Sequence, residues 1–250
     1  MKRLELVGLE GVGEIRAGDS VGKLICEACS RQGIELAAHD ILVIGHKIFY
    51  KAKGGLLPLD KVTPSARARE LARELDKEPE LIEVILGESR NVIRSGGRAL
   101  IVETHHGFVC ANAGVDHSNV GLRQVALLPQ DPDRSAGEIR TEIAKRTGKK
   151  PAVILSDSFG RAWRLGTVDV AIGVAGMSAI KDERGLDDRY GYRLKAAVAA
   201  IADEFAAAAE LVMGKRDGIP VVVVRGYDFE TKEDGSVQEL LRPRAEDLFR

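Results

Sequence analysis

Short β-branched runs bounded by turn residues recur along the chain: Asp40–Gly45, Ala99–Glu103, Pro151–Leu155, Val168–Ile172 and Pro220–Val224. Runs of this length and composition predict strands, most of them covered on both faces. Lys2–Val7 alternates and predicts a half-exposed strand, and Gly107–Cys110 reads as another. Helical spacing fills the intervals. Ser20–Gln32 places Val21, Leu24, Ile25, Ala28 and Cys29 on one stripe. Thr63-Pro64 predicts an N-cap and a first-turn proline for a helix that turns Ala68, Leu71, Ala72 and Leu75 inward. A second helix restarts near Pro79 and carries Leu81, Ile82, Ile85 and Leu86. Ser135-Ala-Gly-Glu138 has the form of a capping box, and its helix is expected to stop at Gly148. The longest predicted helix is Tyr190–Met213, with Leu194, Ala197, Val198, Ile201, Phe205, Ala208 and Val212 at steps of three and four. With no repeat and no low-complexity tract, the pattern predicts a mixed α/β (α+β) fold of two interleaved subdomains, built as one unit over residues 1–250.

Composition narrows the function classes. Among 250 residues, 37 basic side chains oppose 38 acidic ones, a net charge of −1. That balance argues against a bulk grip on nucleic acid or an anionic membrane. A 44% hydrophobic and 30% charged chain is expected to be globular. No apolar run reaches the ~18 residues of a membrane span, and the best candidate, Ala196–Val212, is interrupted by Asp203, Glu204 and Glu210. The amino terminus enters strand pattern at once, so no signal peptide is expected. Three cysteines are too few for a disulfide framework, and a reduced, cytoplasmic enzyme is the expectation.

The common nucleotide motifs are absent. There is no G-x-x-x-x-G-K-[ST], and Gly11-Val-Gly13 lacks the third glycine of a dinucleotide fingerprint. No G-x-S-x-G elbow occurs. Cys26-Glu-Ala-Cys29 lies inside an amphipathic helix without a second pair, and His105-His106 has no clustered partners, so zinc is not expected at either.

Four polar stretches follow apolar runs. In Gly45-His46-Lys47-Ile-Phe-Tyr-Lys51, an extended chain would put Lys47 and Lys51 on one face, where two ammonium groups suit phosphate oxygens or simply a solvated strand end. Asn112-Ala-Gly-Val-Asp116-His-Ser-Asn119 is expected to form a loop whose oxygens suit a hard divalent cation or an Asx-turn network. Ser156-Asp157-Ser158-Phe-Gly-Arg161-Ala-Trp163-Arg164 follows a predicted strand, and ligands usually bind at the carboxyl ends of such strands. Asp157 and Ser158 suit a metal there, and Arg161 and Arg164 suit carboxylates or phosphates. Met213-Gly214-Lys215 through Pro220 reads as a helix stop and surface turn.

Together with Ala171-Ile-Gly173 and Leu211-Val-Met-Gly214…Gly218-Ile-Pro220-Val-Val-Val-Val-Arg225-Gly226, these stretches resemble, in order, the coenzyme F(420)-0:L-glutamate ligase family. The resemblance runs from the first strand to about Gly226. It implies two α/β subdomains in an intertwined homodimer, and a GTP- and divalent-metal-dependent enzyme that adds L-glutamate in γ-linkage to coenzyme F(420)-0 through an acyl phosphate. Carried over by position, Asp116, Asp157 and Ser158 would hold Mg²⁺ or Mn²⁺, and Arg161 would join the two aspartates in catalysis. Val12, Gly13, Glu14, Ile15, His46, Lys47, Lys51, Asn119, Met213, Gly214 and Lys215 would line the nucleotide. The nitroreductase-like domain fused to some bacterial relatives is not expected. The chain departs from the family pattern at Gly13, where proline is common, at Tyr50, where a small serine is usual, and at Lys215, where a polar or acidic side chain often lies near the metal. An amide ligase for another carboxylate acceptor, or an idle nucleotide-binding dimer, would keep the same motifs.

Overall fold

The computed structural model describes residues 2–97 and 99–248. In chain order its strands and helices are β1 (Glu5–Gly8), α1 (Val21–Arg31), β2 (Ile41–Gly45), α2 (His46–Ala52), β3 (Leu57–Pro58), α3 (Ala66–Leu75), α4 (Pro79–Gly87), β4 (Ser89–Gly96), β5 (Ala99–Thr104), β6 (Val109–Ala111), β7 (Gln124–Val125), α5 (Pro132–Thr147), β8 (Ala152–Arg161), β9 (Arg164–Ala175), β10 (Lys181–Asp182), β11 (Val198–Ala199), α6 (Ile201–Met213) and β12 (Val221–Arg225). This is the mixed α+β fold that the hydrophobic pattern predicts. Among the described residues no helix is long and apolar enough to cross a membrane.

The principal sheet has the order β1-β12-β2-β8-β9. Only β2 and β8 run parallel, in the register Ile41↔Ala152 through Gly45↔Ser156. Their Val/Ile/Leu runs are fully buried, as are Val221–Val224 beside them. Helices α5 and α6 both pack on β8 and β9, and α1 packs on α5. The α1–α5 contact is close because Gly22 has no side chain: its N–H and the Ser20 hydroxyl both donate to Glu142 Oε2, at 2.8 and 2.7 Å. At Gly173 an added Cβ would lie 2.4 Å from the Pro132 carbonyl oxygen, so glycine alone lets the start of α5 sit on β9.

A second core lies in the chain between α2 and α5. Leu59, Ala72, Leu75, Ile82, Ile85, Leu100, Val102 and Val125 fill it, beneath the β4-β5-β6 sheet and the β3–β7 pair. The chain thus leaves the principal core after β2–α2, builds a separate one, and returns to add α5, β8 and β9.

Several boundaries differ from the sequence expectation. The helix expected over Tyr190–Met213 begins only at Ile201. Before it, Asp187 and Arg193 form an antiparallel bridge, and the Asp188 carboxylate accepts the N–H groups of Tyr190 and Tyr192. That Asx turn, with Gly191 at φ 83°, outweighs the apolar spacing. The cap expected at Thr63 is Ser65, which accepts from Ala68 N; Pro64 holds the residue before it extended. Ser135 is not a cap either. Asp131 caps α5 and Pro132 begins it, while the Ser135 hydroxyl donates back to the Asp131 carbonyl. The stop at Gly148 occurs as expected, at φ 69°.

Two corrections concern chemistry-bearing segments. His46–Ala52 is helical, not extended, because Ile48, Phe49 and Ala52 make one buried stripe. Lys47 and Lys51 still share a face, since four residues is also about one helical turn. Asp157 does not follow its strand but lies within it. Strand β8 continues through Arg161 and turns at Ala162-Trp163 into β9.

Candidate functional site at the carboxyl end of the parallel strands

The parallel register pairs Gly45 with Ser156, so the next residues of the two strands, His46 and Asp157, emerge side by side. His46 Nε2 lies 3.4 Å from Asp157 Oδ1, and both side chains are buried. Neither ring nitrogen of His46 has a hydrogen-bond partner within the described chain. A buried imidazole with a carboxylate in ion-pair range but no hydrogen bond within the described residues is unusual enough to make it a candidate ligand-facing position.

Lys47 is the next residue along α2. Its Nζ donates to Asp116 Oδ2 at 2.5 Å and to Ser118 Oγ at 2.7 Å. Asp116 also accepts the Ser118 N–H and hydroxyl. Asn112, Ala113, Asn119 and Arg123 all adopt positive φ in this segment, a density of strained backbone typical of binding loops. Burial pushes the Asp116 carboxyl up, but the hydrogen bonds from Lys47 and Ser118 and the Lys47 charge outweigh it, holding the group at about 2. His46 and Lys47, adjacent in sequence, therefore bring Asp157 and Asp116 to one corner.

Beside that corner, Glu14, Ile15, Ala17, Lys51, Gly54, Leu56, Asn119, Val120 and Gly121 line a cleft of about 610 Å³. Lys51 Nζ contacts Glu14 Oε1 at 2.8 Å across it. Val12 and Ile15 are buried in the core, so the Val12–Ile15 turn presents backbone and Glu14, with Gly13 at φ 82°. The Tyr50 ring lies over Gly55 rather than in the cleft, and burial, with the Glu88 charge, raises its hydroxyl to about 12. A larger cavity, about 650 Å³, lies between His105–Phe108, Asp131–Asp133 and the 237–244 segment, and holds none of the sequence-predicted site residues.

Successive strand residues point to opposite faces, and Ser158 accordingly turns away from the His46 side. Its hydroxyl donates to Asp169 Oδ1 at 2.5 Å, and Ser156 Oγ donates to Asp169 Oδ2 at 3.1 Å. Lys215 Nζ donates to Ser158 Oγ and lies 3.4 Å from both Asp169 Oδ1 and Glu210 Oε1. Burial alone would lower the Lys215 ammonium, but Asp169 and Glu210 raise it overall. Nearby, the Asp203 carboxylate accepts Ala171 N at 2.9 Å, and burial raises its pKa. Sequence reasoning missed Asp169. Its one signal was a carboxylate inside the otherwise apolar Val168–Ile172 run.

The remaining predicted residues stand apart from the corner. Arg161 lies at the exposed hairpin end, where its guanidinium donates to the Leu165 carbonyl. Met213 packs into the principal core, so only the turn after it faces the Ser158–Asp169 cluster.

A divalent cation fits this chemistry in kind. The donors are carboxylate and hydroxyl oxygens, which suit magnesium or manganese, and each cluster already accepts a positive charge from lysine. Among the described residues no group of three or more His, Cys, Asp or Glu side chains converges to hold a metal. An ion would therefore bind through one or two carboxylates and need further oxygens, as magnesium does with nucleotide phosphates.

The Lys47–Asp116 pair sets a pH expectation. A carboxylate depressed on folding contributes stability that is present above its unfolded value, about 3.9, and is lost as pH falls toward about 2. In Lys47→Met the Asp116 carboxyl should titrate clearly above about 2 by carboxyl-carbon NMR. An unchanged titration would show that Lys47 does not hold it.

The chain matches the F420-0:Gamma-glutamyl ligase family over residues 11–226. It is 47% identical over 249 residues to a protein of Methanothermobacter thermautotrophicus named Coenzyme F420:L-glutamate ligase, covering 99% of each chain. Proteins of that name from Methanocaldococcus jannaschii and Archaeoglobus fulgidus are 43% and 39% identical, over 100% and 99% of this chain and 98% and 97% of theirs. A match that spans both cores and every segment of the corner leaves no room for a shared fragment alone: the chain belongs to the F420-0:gamma-glutamyl ligase family.

Proposed function

We propose that this protein is a GTP- and divalent-cation-dependent ligase that adds L-glutamate in γ-linkage to coenzyme F(420)-0 through an acyl phosphate. The observation that carries the reading is the placement of Asp116 and Asp157 at one corner by Lys47 and His46, within a chain whose full-length relatives are named for this ligation. The reaction makes an amide from a carboxylate. The carboxylate oxygen takes the γ-phosphoryl group of GTP and GDP leaves. The glutamate amine then attacks the carbonyl carbon, releasing inorganic phosphate and a proton.

Each residue has a role consistent with its position. Lys51, at 14% side-chain exposure, is the cleft's fixed ammonium and would exchange Glu14 for phosphate oxygens. Asn119 and the Val12–Ile15 turn border the same cleft and would position the nucleotide. Lys47 would orient Asp116 and lend positive charge to the transferring phosphoryl group. Mg²⁺ or Mn²⁺ at Asp116 and Asp157 would supply charge neutralisation for the phosphoryl transfer; Ser158, turned to the other face of β8 toward Asp169, stands outside that site. Arg161 at the hairpin end is free to meet an anionic substrate group. The reading places the enzyme in the cytoplasm, with F(420)-0, glutamate and GTP as its small-molecule partners.

The protein is also proposed to act as a homodimer. Trp163 and Leu165 on the β8–β9 hairpin, Leu186, Tyr190 and Tyr192 before α6, and Leu211 on α6 are exposed large apolar side chains. Large apolar side chains left at the surface suit a buried self-contact. Light scattering should give twice the chain mass at micromolar concentration; a single-chain mass would contradict the dimer.

The chemistry is tested with F(420)-0 carrying ¹⁸O in its carboxylate, incubated with glutamate, Mn²⁺ and GTP or ATP. Label should pass into released phosphate, with GTP the faster donor. Asp157→Asn should lower turnover by at least about 10²-fold, the loss of several kcal/mol of charge stabilisation, with near-native thermal melting. Unlabelled phosphate would exclude the acyl phosphate, and wild-type turnover in Asp157→Asn would exclude its role.

A further inference from the structure

Lys215 holds an unusual position. It lies in the turn after α6, begun by Gly214 at φ 56° and ended by Gly218 at φ 68°, and its side chain reaches back to the β8–β9 pair. Three oxygens meet its ammonium: it donates to Ser158 Oγ and lies 3.4 Å from Asp169 Oδ1 and from Glu210 Oε1. Asp169 is buried and already takes both serine hydroxyls, Ser156 and Ser158. Two carboxylates and a hydroxyl, from β8, β9 and α6, thus converge on a single positive charge. The local sum is one charge short of neutral. Such an oxygen set is the kind that binds a hard divalent ion, yet a lysine of this chain fills it. The set lies on the opposite face of β8 from Asp157 and His46, so it is distinct from the Asp116–Asp157 corner.

We propose that Lys215 is a tethered cation that occupies a divalent-ion position on Ser158, Asp169 and Glu210. It supplies positive charge on the face of β8 opposite the corner without binding an ion from solution, and it keeps that position closed to metal. The chain then binds one fewer divalent ion than it would with a neutral side chain at 215. The inference builds on the reading of the corner as a cation site, and it adds a residue that sets how many ions the protein takes.

The test is Mn²⁺ titrated into the full chain, with free ion followed by electron paramagnetic resonance. Lys215→Gln should bind one more Mn²⁺ per chain than the wild type, and Asp169→Asn added to that variant should remove the extra ion. Lys215→Arg, which keeps a cation there, should match the wild type. Equal stoichiometry in the wild type and Lys215→Gln would overturn the proposal, as would an extra ion that survives Asp169→Asn. The wild-type count reads separately on the corner: no bound Mn²⁺ in the wild type would contradict the Asp116–Asp157 cation site, while the difference between variants would still decide Lys215.

Discussion

The parallel pairing of β2 with β8 fixes where everything else in the site can be. Because Gly45 stands opposite Ser156, the first residue of α2 must start beside Asp157 as β8 runs on past the end of β2. His46 then meets Asp157, and the next residue, Lys47, is aimed at the 112–123 loop that carries Asp116. A one-residue slip would turn Asp157 to the other face of the sheet. The Val/Ile/Leu runs of β2, β8 and β12 are buried on both faces, so such a slip would also have to repack side chains that are close-packed above and below the sheet. The register of an apolar sheet therefore positions a polar site.

Charge compensation is the second organising constraint. Asp40 is nearly inaccessible and is held by a two-point contact from Arg225, at 2.9 and 3.0 Å. Asp116 is held by Lys47 and Asp169 by Lys215. Removing Arg225 would leave the buried Asp40 carboxylate uncompensated, the costly case for an ion pair, whereas Asp116 and Lys215 are partly exposed and their pairs are worth less. The Asp40–Arg225 pair joins the entry of β2 to the end of β12 and is structural. The Lys47–Asp116 pair joins α2 to the 112–123 loop, and the Lys215–Asp169 pair joins the turn after α6 to β9.

Much of this was legible in the sequence, and the failures have physical causes. The buried strands were visible because β-branched runs between turn residues leave few alternatives. The Gly148 stop was visible because a left-handed cap favours glycine. The segment before α6 was misread because its apolar spacing is helical, while the turn is set by the Asp188 carboxylate, which outweighs periodicity locally. Lys47 and Lys51 kept their common face although the backbone is helical, because four residues bring side chains together in either geometry. Asp116, Asp157 and the lysines came from a family resemblance and from their place after strands. Their meeting at one corner did not follow from spacing, since about forty residues separate the two aspartates. Asp169 was hidden because strand patterning counts it as one polar position; only the pairing of β8 with β9 shows it facing two serines and a lysine.

The central claim is the proposal that Asp116 and Asp157 serve one cation beside the Lys51 cleft. A double-mutant cycle tests it most directly, with Mn²⁺·GTP affinity measured by calorimetry for Asp116→Asn, Asp157→Asn and the double variant. If the two carboxylates share an ion, the losses are not additive, and the double variant binds little more weakly than the worse single one, with a coupling of about 1 kcal/mol or more. Losses that add within about 0.5 kcal/mol, or single variants that bind Mn²⁺·GTP as the wild type does, would contradict the account.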